Sequence, residues 1–222
     1  MKSKFLICSI IFLFGFTSLY AQNSTVVASD EAHNIGDLLE IDMNGGKPFM
    51  DVLKEKNFTP SISDRVLEPH HLSSLFWAAN GTPHRGEVHN RTAYAPMDMQ
   101  FIKIYALMKE GVFIYDPEAH KLKKIEKSDY RVKLSDDNMV HRAPILLLYV
   151  IDSESTGVVK EENKLNYAFL QAGSICQNVF LYCSSENLNT NVILDIKKDE
   201  FAKNLNIKAA NILFIQAVGY RD

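Results

Sequence analysis

The chain has 222 residues, of which 46% are apolar and 23% are charged, as in an ordinary soluble globular protein. This length is enough for one domain with a sizeable core, or for two very small ones. The formal net charge of −3 gives no electrostatic basis for binding nucleic acid or an anionic membrane surface.

The N-terminal residues have the pattern of a cleaved secretory signal. Lys2 and Lys4 precede an apolar run over residues 5–16, and the small residue Ala21 precedes a polar stretch. A membrane anchor is the less favoured alternative, because a spanning helix needs about 20 apolar residues. We therefore predict a bacterial protein that is exported to the periplasm or secreted, with no membrane association after cleavage. The predicted divisions are a signal peptide over 1–21, a flexible mature N-terminus over 22–44 and a folded domain over 45–222.

Two cysteines remain after the predicted cleavage, Cys176 and Cys183. Both fall in one strongly helical stretch, where two turns separate their α-carbons by roughly 10 Å. A disulfide requires less than about 7 Å between α-carbons, so the two cannot pair within that helix. We interpret both as small apolar residues of the interior.

The first half of the folded domain reads as two helices followed by a hairpin. A helix is predicted over 49–56, and a second over 69–80, where apolar residues recur at helical spacing and Gly81 ends the pattern. Residues 82–98 read as a loop. Strands over 101–107 and 112–115 flank a turn, which predicts a hairpin.

The second half alternates strands and helices. The continuous apolar run over 143–151 suits a strand that is buried on both faces. A long helix is predicted over 165–187, apolar on more than one side and therefore central to the molecule or to a dimer interface. A strand over 191–196, a helix over 198–205 and a strand over 212–218 complete a single α+β domain.

Five segments in this order resemble the nitroreductase family, in the branch of short bacterial proteins, over roughly residues 45–220. The segments are Leu72-Ser73-Ser74-Leu75-Phe76-Trp77-Ala78-Ala79-Asn80-Gly81, Arg91-Thr92-Ala93 through Gln100, Glu110-Gly111-Val112-Phe113-Ile114-Tyr115-Asp116 with His120 and Leu122, Gly173-Ser174-Ile175-Cys176-Gln177-Asn178-Val179-Phe180-Leu181, and Gln216-Ala217-Val218-Gly219-Tyr220.

The resemblance implies a mixed sheet flanked by helices in an intertwined homodimer, with FMN at the dimer interface. It also implies an oxidoreductase that transfers hydride from NAD(P)H through FMN to a small organic acceptor, so that its partners are a nicotinamide cofactor and a small-molecule substrate. The flavin carries the chemistry, and no catalytic side chain is assigned. The expected cofactor-binding residues are Lys56, Arg91, Thr92 and Gln100.

Three stretches that face the cofactor in the family differ here. Where the family carries arginines after the first helix, the sequence keeps Lys56 as a cation and has Asn57 and Pro60. Asp98 replaces an amide in the loop and only accepts hydrogen bonds when ionised. Ile193-Leu194 aligns with an Arg-Gly pair.

These differences leave two alternative functions open. One is an exported, non-catalytic protein of the nitroreductase fold that has lost FMN and binds another small ligand or a partner. The other is an unrelated secreted α+β binding protein.

One further cluster, His84, Arg85, His89 and Arg91, lies in the loop. It is interpreted as solvated, with an anion or substrate site as the alternative. Because no nearby Asp, Glu or Cys completes a convincing ligand set, no metal site is predicted.

Overall fold

A tight hairpin organises one half of the sheet, as the sequence predicted. The computed structural model of the protein describes residues 34–56, 61–83, 90–157 and 159–222. Strands β1 (Ile102–Met108) and β2 (Gly111–Asp116) pair antiparallel, and Met108 opposite Gly111 closes the turn. Gly111 has φ +133°, and a Cβ at this position would collide with the Glu126 carbonyl. Only glycine therefore fits this turn without strain.

The hairpin continues into a third strand that the sequence did not reveal. β3 (Lys121–Glu126) pairs with β2, and Leu122 is its buried apolar residue. The other strands are β4 (Ile145–Ile151), β5 (Leu188–Ile193) and β6 (Ile212–Tyr220). The six strands form one sheet in the order β3-β2-β1-β4-β6-β5.

All neighbouring strands of this sheet run antiparallel over the described residues. The α+β fold is confirmed, but the expected mixed sheet is wrong for this part of the chain. The cause is the connectivity, since β1, β2 and β3 are joined by short turns that reverse the strand direction.

Six α-helices are present in the described residues. Helix α2 (Pro69–Asn80) has the predicted bounds, because proline is favourable in the first turn and the Gly81 N–H closes the last turn on the Trp77 carbonyl. The others are α1 (Phe49–Glu55), α3 (Arg131–Leu134), α4 (Asn138–Arg142), α5 (Glu161–Ser185) and α6 (Lys198–Asn204), with 3-10 turns at Pro96–Asp98 and Ala209–Asn211.

The sheet separates two apolar cores. Helices α2 and α5 cover one face, where Phe76 and Ile175 are fully buried, and α3, α4 and α6 cover the other, where Leu134 and Phe201 are buried. β4 lies between the two cores, and its residues 145–150 are buried, which confirms the prediction from its continuous apolar run. Each fully buried side chain of this size contributes about 1.5–3 kcal/mol.

The ordered domain begins before residue 45, where the sequence placed its boundary. The Leu122 N–H donates to the Gly36 carbonyl, and Asp37 forms a bridge with Lys121. The Leu39 N–H donates to Ser73 Oγ on α2 at 2.7 Å. These contacts use backbone groups of residues 36–39 and leave no apolar periodicity in the sequence. The predicted signal peptide lies outside the described residues, and none of the helices within them is long and apolar enough to cross a bilayer.

Candidate functional site

Residues 91–101, called here the 91–101 segment, contain three of the four predicted cofactor residues. The segment follows α2 and leads into β1. The Thr92 N–H donates to the Gly81 carbonyl at 2.9 Å, and Thr92 Oγ1 donates to the Trp77 carbonyl at 3.0 Å. Both bonds hold the start of the segment against the end of α2.

Three polar side chains on one face of α5 hold the rest of the segment. They are spaced three and four residues apart, which places them on one side of the helix. Gln171 Oε1 accepts from the Phe101 N–H at 2.7 Å, Ser174 Oγ accepts from the Tyr94 N–H at 2.9 Å, and Asn178 Nδ2 donates to the Thr92 carbonyl at 3.0 Å.

The middle of the segment is open to solvent. Tyr94 and Met97 are each 62% exposed. Met97 and Asp98 have φ values of 57° and 55°, in the left-handed region that few residues other than glycine adopt. On α5, a Cβ placed on Gly173 would meet no atom within 4 Å. The helix therefore presents a flat strip of surface beside the segment.

Lys56, the residue after helix α1, lies against α5. Its Nζ donates to Gln177 Oε1 at 2.9 Å and stands 4.8 Å from the centroid of the Phe180 ring, within range of a cation–π attraction. We use the name α5 surface for the exposed region made by Lys56, Tyr94, Met97, Gly173 and Gln177.

The opposite flank of the segment carries Arg91 and Gln100. The Arg91 side chain is 6% exposed; it donates to Thr82 Oγ1, and its Nη2 lies 3.3 Å from Glu118 Oε1. Gln100 Oε1 accepts from Gln171 Nε2 at 2.8 Å. Both side chains line a cavity of about 370 Å³ between β1 and β2, which we call the strand-split cavity.

The four predicted cofactor residues thus fall into two pairs. Lys56 and the Thr92 carbonyl bind neighbouring residues of α5, whereas Arg91 and Gln100 face the strand-split cavity. Their role towards a flavin stays a prediction.

The structure describes only some of the other positions that the sequence analysis singled out. Leu194, at the end of β5, is 69% exposed. Five others lie outside the described residues: Asn57, Pro60, His84, Arg85 and His89. Among the described residues, no cluster of His, Cys, Asp or Glu is suited to hold a metal.

Sequence reasoning missed Gln171 and Ser174. Both lie in a helix whose apolar residues dominated its interpretation. The spacing of Gln171, Ser174 and Asn178 is the signal that identifies a polar face within this helix.

The two cysteines of α5 are unpaired thiols, as the sequence predicted. Burial raises the pKa of Cys176 to about 12 and also raises the pKa of Cys183. Both side chains therefore remain protonated near neutral pH and do not act as nucleophiles.

A second cavity, of about 510 Å³, lies away from the 91–101 segment, at the other end of β1. Met108 and Ile145 belong to its wall, together with Leu72 of α2. None of the four predicted cofactor residues lines it.

An antiparallel sheet with a long helix on one face, and a neighbouring loop held by that helix, defines an α+β protein of the nitroreductase fold. The sequence pattern of the Nitroreductase family matches residues 63–220. The chain belongs to this family.

Known relatives agree with that assignment. A protein of Methanocaldococcus jannaschii named as a nitroreductase is 26% identical over 191 residues, which is 82% of this chain and 96% of the relative. A crystal structure named as a nitroreductase from Ralstonia eutropha superposes with a TM-score of 0.77 at 25% identity, over 84% of this chain and 89% of that chain.

A more distant structure shares the fold alone. It is a chain of the E. coli microcin synthetase complex, with a TM-score of 0.66 at 17% identity, covering 96% of this chain and 85% of that chain.

Proposed function

We propose that the protein is an exported FMN-dependent oxidoreductase that takes hydride from NAD(P)H and delivers it to a small organic acceptor. The observation that carries this proposal is the α5 surface, where one cation, a flat strip of helix and an exposed loop lie together on a member of the nitroreductase family.

The residues of the α5 surface fit a flavin in shape and in charge. Gly173 has no side chain, so a flat ring can approach the helix closely. Tyr94 and Met97 offer aromatic and polarizable groups at the edge of this strip. Lys56 supplies a positive charge for the phosphate.

Bound FMN would supply the hydride chemistry. The chain's own residues bind and orient. Gln171, Ser174 and Asn178 fix the 91–101 segment before any ligand arrives, which lowers the entropy lost on binding. Cys176 stays a neutral thiol beside this surface.

A homodimer is part of the proposal. Leu165, Phe169 and Leu170 on α5 are 49%, 45% and 53% exposed, and Phe49 and Met50 on α1 are 62% and 72% exposed. Apolar side chains exposed together on a surface are typical of an association site. Light scattering on the purified protein should therefore give twice the mass of the mature chain.

The experiment that tests the oxidoreductase is a titration of cofactor-free protein with FMN, followed by visible absorbance. We expect saturable binding and bleaching of the flavin when NAD(P)H is added. Lys56→Gln should weaken FMN binding by roughly tenfold, because a charge-assisted bond to phosphate is lost. Lys54→Gln, at an exposed lysine of α1 two residues before Lys56, is the matched control and should leave the affinity unchanged. Absence of any saturable FMN binding would exclude this function.

Asp98 favours a second candidate, a non-catalytic protein of the same fold. An ionised carboxylate at this exposed position repels electron-rich edges of a flavin. In this case the α5 surface binds another small molecule or a partner. Asp98→Asn separates the two candidates: a variant that gains FMN binding which the natural chain lacks supports the second, whereas tight binding by both supports the first.

Export is the remaining part of the proposal. The N-terminal sequence of the protein recovered outside the cytoplasm should lack residues 1–21. Recovery of the protein in the cytoplasm alone, with its N-terminus intact, would contradict export.

A further inference from the structure

The strand-split cavity arises where the sheet divides. β1 and β2 are paired from Met108 opposite Gly111 up to Tyr105 opposite Ile114. Beyond that point β1 stays paired with β4 as far as Ile102, and β2 stays paired with β3 as far as Asp116. The cavity of about 370 Å³ lies between the two unpaired stretches.

Two residues that line this cavity each have a buried donor without a partner among the described residues. The donors are Arg91 Nε and Gln100 Nε2. Buried polar groups are almost always hydrogen-bonded, and an unsatisfied one is costly. Asn80, which is 3% exposed and also lines the cavity, has a buried acceptor without a partner among the described residues, its Oδ1.

The orientation of the Gln100 amide is fixed by its neighbours. The Phe101 N–H can only donate, so the Gln171 amide must turn its Oε1 towards that N–H. Gln171 therefore offers its Nε2, which donates to Gln100 Oε1. Gln100 then keeps its own NH₂ group turned away from Gln171, and a flip of this amide would break its hydrogen bond with Gln171.

The charges around the cavity limit what binds there. Arg91 forms an ion pair with Glu118. Lys103 Nζ forms another with Asp152 Oδ1 at 2.9 Å. Asp116 and Asp152 line the cavity together with Arg91, Lys103 and Lys123, so its charges nearly balance and favour a ligand with one negative charge over one with two. One carboxylate group matches two N–H donors and this nearly balanced charge.

The remaining wall is largely apolar. Ile102, Ile104, Ile114 and Ile125 contribute to it, together with Tyr115, Pro117 and Lys123. A cavity with apolar walls and a few convergent donors is the usual form of a small-molecule site. We propose that the strand-split cavity binds a small monocarboxylate with a short aliphatic body, whose carboxylate accepts from Arg91 Nε and Gln100 Nε2.

This site is separate from the α5 surface. None of the residues that define the α5 surface lines the cavity. The inference does not depend on the proposed FMN chemistry, and the two can be tested apart.

The test is calorimetric titration of FMN-free, full-length mature protein with 3-methylbutanoate. We expect one site per chain with Kd of roughly 0.1–1 mM. The neutral probe 3-methylbutanamide has the same shape and should bind at least about tenfold more weakly.

Gln100→Glu is the diagnostic variant. It keeps the oxygen that accepts from Gln171 and replaces the NH₂ group by a second acceptor. Affinity for 3-methylbutanoate should fall by roughly tenfold or more, while the melting temperature stays within a few degrees. Asn204→Asp, an exposed residue at the end of α6, adds the same charge elsewhere and should leave the affinity unchanged.

Three results would overturn the proposal. The first is no saturable binding up to about 10 mM, which means that the cavity holds only water. The second is equal affinity for the acid and the amide. The third is 3-methylbutanoate binding that FMN displaces and Gln100→Glu does not alter, which would place the ligand on the α5 surface. If Gln100→Glu does not fold, Ile114→Phe fills the same cavity and should abolish binding.

Discussion

The two flanks of the 91–101 segment differ in how completely their polar groups are satisfied. On the α5 flank, Gln171, Ser174 and Asn178 each bond a backbone group of the segment. On the strand-split flank, Arg91 and Gln100 each keep one buried donor without a partner among the described residues. One short stretch of chain therefore has one flank whose polar groups are hydrogen-bonded and one flank with two donors that are unpaired in the described part of the chain.

This difference distinguishes a flank that holds the segment in place from a flank that can bind a ligand. Satisfied hydrogen bonds stabilise a loop and fix its place, whereas unsatisfied buried donors cost stability and are tolerated where something else binds. The α5 flank thus supports the segment, and the strand-split flank presents groups to a ligand. The two flanks meet in one hydrogen bond, between Gln171 and Gln100.

The largest expected effect on stability follows from substitution of Gln171, which forms this hydrogen bond. Gln171→Leu leaves the buried Phe101 N–H without an acceptor and frees the Gln100 amide. Because Gln171 is fully buried, we expect the free energy of unfolding to fall by about 3 kcal/mol. Chemical denaturation of the two proteins measures this difference.

The control for that prediction lies on the same helix. Gln177→Leu makes the same chemical change at an exposed position, and should alter stability by less than about 0.5 kcal/mol. Equal losses from both variants would mean that the α5 flank does not owe its stability to the Gln171 bonds, and the contrast between the flanks would fail.

Much of the fold was predictable from sequence, because local patterns decided it. Helix α2 was assigned over residues 69–80 by its spacing and by Gly81, and β4 by its unbroken apolar run. β3 was missed because, as an outer strand, it buries little beyond Leu122, so its sequence does not alternate clearly.

The site was less accessible to sequence reasoning. Lys56, Arg91, Thr92 and Gln100 were found through family resemblance, which says nothing of how they divide between two flanks. That division depends on Gln171, a residue 70 positions away from Phe101, and on the point where β1 leaves β2. Long-range contacts of this kind carry no local signal in the sequence.

A smaller effect is expected at the edge of the strand-split cavity. Burial alone would raise the pKa of Asp152, but hydrogen bonds from Lys103, Ser155 and the Glu154 N–H, with the charge of Lys103, hold it below its usual value. A depressed carboxyl pKa stabilises the fold above the unfolded pKa of about 3.9. This stability is lost as the pH falls through the lower, folded value.

Asp152→Asn tests that pH dependence. At pH 7 it should lower the free energy of unfolding by about 1 kcal/mol, since Lys103 is 41% exposed and its charge is screened. The difference should shrink below pH 4 or so. Glu154→Gln, at a carboxylate 92% exposed and 3.8 Å from the same lysine, should change little at any pH. A constant difference from pH 7 to about pH 2 would show that packing, not charge, is responsible.

The smallest effect is expected where the α5 flank meets solvent. Ser174→Ala removes the acceptor for the Tyr94 N–H, but Tyr94 is largely exposed, so water replaces the lost bond. Stability should therefore fall by less than about 1 kcal/mol. The readout is local: hydrogen exchange at the Tyr94 amide should accelerate roughly tenfold, while exchange at the Phe101 amide, held by Gln171, stays unchanged. Equal acceleration at both amides would mean that the α5 flank opens as one unit, and that its three side chains do not hold the segment at separate points.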